Sequence, residues 1–184
     1  MTIYEPAEDS FLLSEEIKKY LKNKDKEIKI LDMGSGSGIQ AKTCRDLGFK
    51  NILCADIDPE AIKHFKKLKF RSIKTNLFSK IKKSKENKFD FIIFNPPYLP
   101  ENELEPKDSR LATTGGKKGY EIIIKFLKQA RSYLTKDGAI LLLFSSLSQP
   151  KTIKSEAKKL GYTIKELSSQ KLFFEELFVY LFAQ

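Results

Sequence analysis

The feature that most limits the fold of this 184-residue chain is the run Phe89-Asp90-Phe91-Ile92-Ile93-Phe94, followed at once by Asn95-Pro96-Pro97-Tyr98. Five of its first six residues are apolar and either aromatic or β-branched, a pattern that suits a strand covered on both faces. The strand must stop at Asn95. Proline offers no N–H, and the residue before each proline is pushed out of the helical region. A buried strand therefore delivers one carboxamide, two rigid rings and a phenol to the edge of a sheet. In open α/β sheets the carboxyl edge is where ligands bind.

The remaining segments alternate in the same sense. Residues 7–22 form an amphipathic helix with acids early and lysines late, matched to its dipole, and Pro6 stands at its start. Ile28 to Asp32 reads as a strand, Gly34-Ser35-Gly36-Ser37-Gly38 as a turn, and Ile39 to Leu47 as a helix that Gly48 caps. Asn51 to Ala55 is the next strand, and Pro59 opens a third helix. Residues 72–75 look like an outer strand, and 80–88 like a solvated, lysine-rich loop. A helix over Tyr120–Leu134, a turn at Asp137-Gly138 and a strand over Ala139–Phe144 come next. A last helix, Pro150–Leu160, precedes an antiparallel pair, Tyr162–Leu167 and Glu176–Phe182. The expected fold is α/β: a Rossmann-like, doubly wound, seven-stranded mixed sheet closed by an antiparallel C-terminal hairpin. No repeat or linker divides residues 1–184, which are expected to form one domain.

A chain this long needs no disulfide to fold. Cys44 and Cys54 lie in apolar periodic segments without metal-ligand spacing, so they are expected to be reduced core residues, and no metal site is expected. The longest charge-free run, Gly138 to Pro150, is too short for a membrane span, and the acidic N-terminus lacks a signal peptide's basic region. A cytoplasmic protein is expected. The net charge of +10 leaves nucleic acid open as a partner, yet only four of the 34 basic residues are Arg (45, 71, 110 and 131). Phosphate and base recognition favours Arg forks.

Two stretches carry chemistry. In Asp32-Met33-Gly34-Ser35-Gly36-Ser37-Gly38 the glycines allow a ligand to approach the backbone. The G-x-G-x-x-G dinucleotide pattern fails because position 39 is Ile. An acid before G-x-G-x-G suits S-adenosylmethionine, with Asp32 accepting from its amino group. Asp56, at the end of the second strand, can accept from both ribose hydroxyls, whereas Asp58 reads as the cap of the following helix. Asn76 can meet the adenine amino group or be an ordinary turn residue. At the second stretch, Asn95-Pro96-Pro97-Tyr98 suits methyl transfer to a planar NH₂. The Asn95 side-chain oxygen and the Pro96 carbonyl accept its hydrogens and favour the developing charge. Pro97 stiffens that carbonyl, and Tyr98 offers a surface to the target group.

With these residues in view, the chain resembles the HemK-related release-factor glutamine methyltransferases of their archaeal and eukaryotic branch, which are class I S-adenosylmethionine-dependent enzymes. The resemblance rests on Tyr4-Glu5-Pro6-Ala7-Glu8-Asp9-Ser10-Phe11-Leu12-Leu13, the glycine turn, Asp56-Ile57-Asp58-Pro59-Glu60-Ala61, Asn-Pro-Pro-Tyr and Gly115-Gly116-Lys117-Lys118-Gly119. It implies N5-methylation of the glutamine in the Gly-Gly-Gln loop of a class I release factor. It also implies cofactor contacts at Ser10, Asp32, Gly34, Gly36, Asp56, Ile57, Asn76, Leu77 and Asn95. The family often has Glu in place of Asp32, an acid in place of Asn76 and Thr in place of Ser10. Bacterial members carry an additional N-terminal helical domain for which this chain has no room. A small zinc-binding activator subunit is implied as partner, with residues 70–75 as a candidate docking edge. The competing expectation is an adenine N6 or guanine N2 amino methyltransferase acting on nucleic acid. Against it stand the acids Glu101, Glu103, Glu105 and Asp108 just past Tyr98, and the lack of a base-flipping domain. A non-catalytic scaffold is a third reading. The lone His64 is expected at the surface without a role.

Overall fold

The computed structural model describes residues 5–102, 106 and 113–184. Its helices are α1 (Glu8–Leu21), α2 (Ile39–Asp46), α3 (Pro59–Lys67), α4 (Glu121–Ala130) and α5 (Pro150–Lys159). Its strands are β1 (Ile30–Met33), β2 (Ile52–Asp56), β3 (Arg71–Lys74), β4 (Phe89–Phe94), β5 (Leu134–Ser145), β6 (Thr163–Lys171) and β7 (Glu176–Ala183). They form one seven-stranded sheet in the order β3-β2-β1-β4-β5-β7-β6. β7 is antiparallel to both β5 and β6, and the other pairings are parallel. This is the doubly wound mixed sheet of the class I methyltransferase fold.

Alternation along the strands explains why both faces are covered. In β4, Ile92 and Phe94 join Leu31, Met33, Ile140, Leu142 and the inner faces of α4 and α5. Phe91 and Ile93 point the other way, among Leu13 and Ile17 of α1, Ala41 and Cys44 of α2, and Phe65 of α3. Chain order reverses between β1 and β4, so the crevice at their carboxyl ends is the topological switch point. Met33 pairs with Phe94 there, and Gly34 and Asn95 leave adjacent strands at one level.

Several boundaries differ from the sequence expectation. Asp137-Gly138 lies inside β5 rather than before it. The pairing moves from Phe89↔Leu134 to Phe91↔Ala139, so β5 carries a bulge at these residues. The helix expected to reach Leu134 stops at Ala130 and tightens into a 3₁₀ turn over Arg131–Tyr133. β6 runs on to Lys171 because β7 pairs with it through Glu176. Within the lysine-rich 80–88 stretch, Ile81 is buried with Phe78, Phe126 and Leu134. Cys44 and Cys54 are free and buried as expected. His64 is half-buried, with Nε2 3.2 Å from the Ser37 carbonyl. No helix among the described residues is long and apolar enough to cross a membrane.

Candidate active site

A cavity of about 610 Å³ opens at the switch point, within the size range of small-molecule sites. Ser10, Asp32, Gly34, Gly36, Asp56, Ile57, Asn76, Leu77, Asn95, Pro96, Pro97 and Tyr98 all line it. The sequence-derived candidates are therefore brought together around one space. Asn76 lies two residues past the end of β3 and is exposed, while Leu77 is buried at φ +50°.

The first wall is β1, the glycine turn, α2 and the end of β2. Gly34, Gly36 and Gly38 all have positive φ, which folds the turn tightly out of β1. Asp56 braces this turn: its Oδ2 accepts the Gly36 N–H at 2.8 Å and its Oδ1 the Asp58 N–H at 2.9 Å. Burial raises its pKa above the usual carboxylate range against the lowering effect of those two N–H groups. Asp32 is 1% exposed, and its Oδ2 accepts the Ala41 N–H at 3.0 Å. Burial first, then the charge of Asp56, push its pKa up to about 8 despite the Ala41 N–H. Asp58 caps α3 by accepting the Glu60 N–H at 2.9 Å, the helix-cap role its position suggested.

The second wall is assembled from distant segments. Asn95 Nδ2 donates to Asp9 Oδ2 at 2.9 Å. Among the described residues, Asn95 Oδ1 is one of three buried side-chain N or O atoms without a hydrogen-bond partner. The other two, on Ser168 and Glu175, belong to the C-terminal hairpin, so among the described residues Asn95 is the one cavity-lining residue that carries such an atom. Such an acceptor costs free energy in the isolated fold. The backbone after Asn95 is clamped by the second glycine cluster. A Cβ on Gly115 would stand 2.6 Å from the Pro97 carbonyl oxygen and 2.4 Å from that of Gly119. One on Gly119 would stand 2.5 Å from the Tyr98 carbonyl oxygen. Leu99 and Gly115 complete the clamp, the Gly115 N–H donating to the Leu99 carbonyl at 2.9 Å.

Sequence reasoning named neither Asp9 nor Gly115 as a site residue. Asp9 stood in a recognised motif but looked like an acid in the first turn of a helix. The missing signal was its pairing with a residue 86 positions away. Of the acidic loop, Glu101 is exposed, while Glu103, Glu105 and Asp108 lie outside the described residues, as does Tyr4.

The model of the family described as "Methyltransferase small domain" matches residues 10–165. A relative from Methanocaldococcus jannaschii, named as a protein N5-glutamine methyltransferase, is 40% identical over 96% of this chain and 89% of its own length. The chain belongs to the HemK-related N5-glutamine methyltransferases of this family. Human methyltransferase HEMK2 is 28% identical over 86% of the chain and 79% of its own length. A bacterial relative, the release factor glutamine methyltransferase of Borreliella burgdorferi, is 34% identical over 73% of the chain, which spans half of it. Among solved structures, the E. cuniculi Mtq2-Trm112 complex superposes with a TM-score of 0.80 at 22% identity, covering 100% of this chain and 99% of that one.

As a HemK-related methyltransferase the protein is an enzyme that uses S-adenosylmethionine. The cavity fits that cofactor. Two buried carboxylates, a turn of close-approach backbone, the apolar Ile57 and Leu77, and Asn95 with its unpartnered oxygen line a single space.

Proposed function

We propose that this chain transfers a methyl group from S-adenosylmethionine to the side-chain nitrogen of the glutamine in the Gly-Gly-Gln loop of a class I translation release factor. The observation that carries the proposal is that Asn95, a residue lining the switch-point cavity, has a buried side-chain oxygen without a hydrogen-bond partner. A carboxamide NH₂ has its lone pair delocalised and attacks poorly. An oxygen that accepts one of its hydrogens favours the positive charge that grows on nitrogen during attack. With the Pro96 carbonyl accepting the other hydrogen, the nitrogen is held in line. Pro97 and the Gly115 clamp keep that carbonyl in place, and Tyr98 offers a face to the glutamine stem.

When bound, the cofactor supplies an electrophilic methyl group on a sulfonium. Asp56, after its two backbone bonds, keeps lone pairs for two ribose hydroxyls. Asp32 offers its carboxylate to the ammonium group, and Gly34 and Gly36 let the amino-acid portion approach the main chain. Ser10 contributes a hydroxyl at the cavity wall, Ile57 and Leu77 an apolar cover for the base, and Asn76 a carboxamide for its amino group. No general base is required at the displacement, because the proton can leave to water afterwards.

The whole chain acts as one catalytic domain in the cytoplasm in this reading. The E. cuniculi Mtq2 is known in complex with Trm112, a complex described as responsible for methylating the termination factor eRF1. A small zinc-binding activator of this kind would dock here on β3. Among the described residues that strand ends the sheet with one edge unpaired, and eleven of residues 63–88 around it are Lys or Arg. An acidic partner strand would suit it.

The test is mass spectrometry of an intact release factor incubated with the enzyme, its activator and labelled donor. One added methyl group on the Gly-Gly-Gln glutamine is expected. Label on other residues only, or on added RNA or DNA only, would overturn the assignment.

A further inference from the structure

We infer that Asp9 is a positioning residue for methyl transfer: its carboxylate sets which way round the Asn95 carboxamide stands. This rests on the reading of Asn95 as the acceptor for the substrate amide. A carboxamide has an oxygen end and an NH₂ end of nearly equal shape, and only the oxygen end can accept hydrogens from the glutamine nitrogen. An Asn at the end of a strand has no built-in preference between them. A carboxylate, however, only accepts. With Asp9 Oδ2 2.9 Å from Asn95 Nδ2, the NH₂ end must face Asp9, and the Oδ1 of this cavity-lining residue is left without a partner.

Asp9 is itself held. It is 5% exposed, and its Oδ1 accepts the Ser10 N–H at 2.6 Å in the first turn of α1. That turn is tied to α2 through Gln40, whose Nε2 donates to the Ser10 carbonyl at 2.9 Å while its Oε1 accepts from Ser14 Oγ at 2.8 Å. The orientation of the reacting amide is therefore set by the N-terminal helix and its anchor on the helix after the glycine turn.

The most telling substitution is Asp9→Asn, which is nearly isosteric. The Ser10 N–H needs an oxygen, so the new side chain would keep its oxygen there and turn its NH₂ toward Asn95. Asn95 would then reverse, presenting hydrogens to the cavity in place of an acceptor. We expect kcat to fall by about 100-fold, the range for losing one transition-state hydrogen bond, with the Kd for S-adenosylmethionine and the melting temperature unchanged. The exchange Asp9→Asn with Asn95→Asp should then recover about tenfold over Asp9→Asn alone. The donor at position 9 would meet a carboxylate whose second oxygen faces the substrate, and residues acting as a pair are non-additive. Asp9→Ala, which removes the acceptor and adds no donor, should lose less than Asp9→Asn and serves as a second variant should Asp9→Asn fold poorly.

Wild-type kcat in Asp9→Asn, a loss explained by weaker donor binding, or strict additivity in the double exchange would each overturn the inference. Asn95→Ala separates the two levels. If it stays active, the reading of Asn95 fails; if it is inactive while Asp9→Asn and Asp9→Ala retain full kcat, only the role of Asp9 fails.

Discussion

The two walls of the cavity are built by different means. On the cofactor side, the polar groups are satisfied within a single β1-α2-β2 unit: Asp32 with the Ala41 N–H, Asp56 with the N–H groups of Gly36 and Asp58. On the reacting side, Asn95 is held by Asp9 from the start of the chain, and Pro97 and Tyr98 are gripped by Gly115 and Gly119 from a later loop. The first wall is braced by its own backbone before any ligand arrives. The second leaves the Asn95 side-chain oxygen without a partner, as its proposed role of accepting the substrate's hydrogens requires. In the proposed reading, local bracing makes the binding surface, and an unsatisfied group held from afar makes the reactive one.

The comparison breaks if the two walls respond alike to mutation. The largest effect is expected on the reacting side. Asn95→Ala should lower kcat by about 100-fold to 1,000-fold, leaving donor Kd by calorimetry and the melting temperature close to wild type. Retention of more than about a tenth of kcat, a barrier change under about 1.4 kcal/mol, would remove Asn95 from the chemistry. On the cofactor side, Asp56→Ala should weaken donor binding by about 10- to 100-fold, since hydrogen bonds to charged groups contribute about 1.5–3 kcal/mol. It should change kcat at saturating donor little. A kcat effect as large as that of Asn95→Ala would erase the distinction.

Gly115→Ala probes the long-range clamp. The added Cβ must push the Pro97 carbonyl or the Gly119 backbone aside, an overpacking cost of about 1–3 kcal/mol. Thermal melting should show that loss, and turnover should fall while donor Kd holds. Loss of donor binding instead would mean the clamp serves the first wall.

The smallest effect concerns pH. Asp32 has its pKa raised to about 8, so the ligand-free fold favours its protonated form. That contribution to stability is fully present below the unfolded-state pKa and is lost as pH rises toward 8. A cationic donor favours the ionised form. Below pH 8 its binding should release a proton and tighten with rising pH, by up to about tenfold per unit. Calorimetry of donor binding in buffers of different ionisation enthalpy would detect the proton, and Asp32→Asn should abolish its release.

Much of this molecule could be read from local patterns. The 3.6-residue and two-residue periodicities placed helices α1 to α5 and strands β1 to β7 of the described residues, and punctuation by glycine and proline put the turn after β1 and the stop after β4 in place. The misplaced boundaries share a cause. Asp137-Gly138 reads as a turn in isolation but is absorbed as a bulge because β4 offers a partner to both sides of it. Ile81 looks solvated among lysines yet is drawn into the cluster with Phe78 and Phe126.

By itself the sequence determined which residues could form the site: the glycine turn, the acids at the strand ends and Asn-Pro-Pro-Tyr are legible because each works through its immediate neighbours. Only the tertiary structure decided how the Asn95 amide is oriented. Asp9 and Asn95 lie 86 residues apart, and neither carries a mark of the other. Their meeting depends on α1 packing against α2, β5 and β7, a contact set by the burial of Leu13, Ile17 and Leu21 rather than by any property of the pair. Side-chain chemistry is written in single residues, whereas the direction in which a group points is settled by what the core brings beside it.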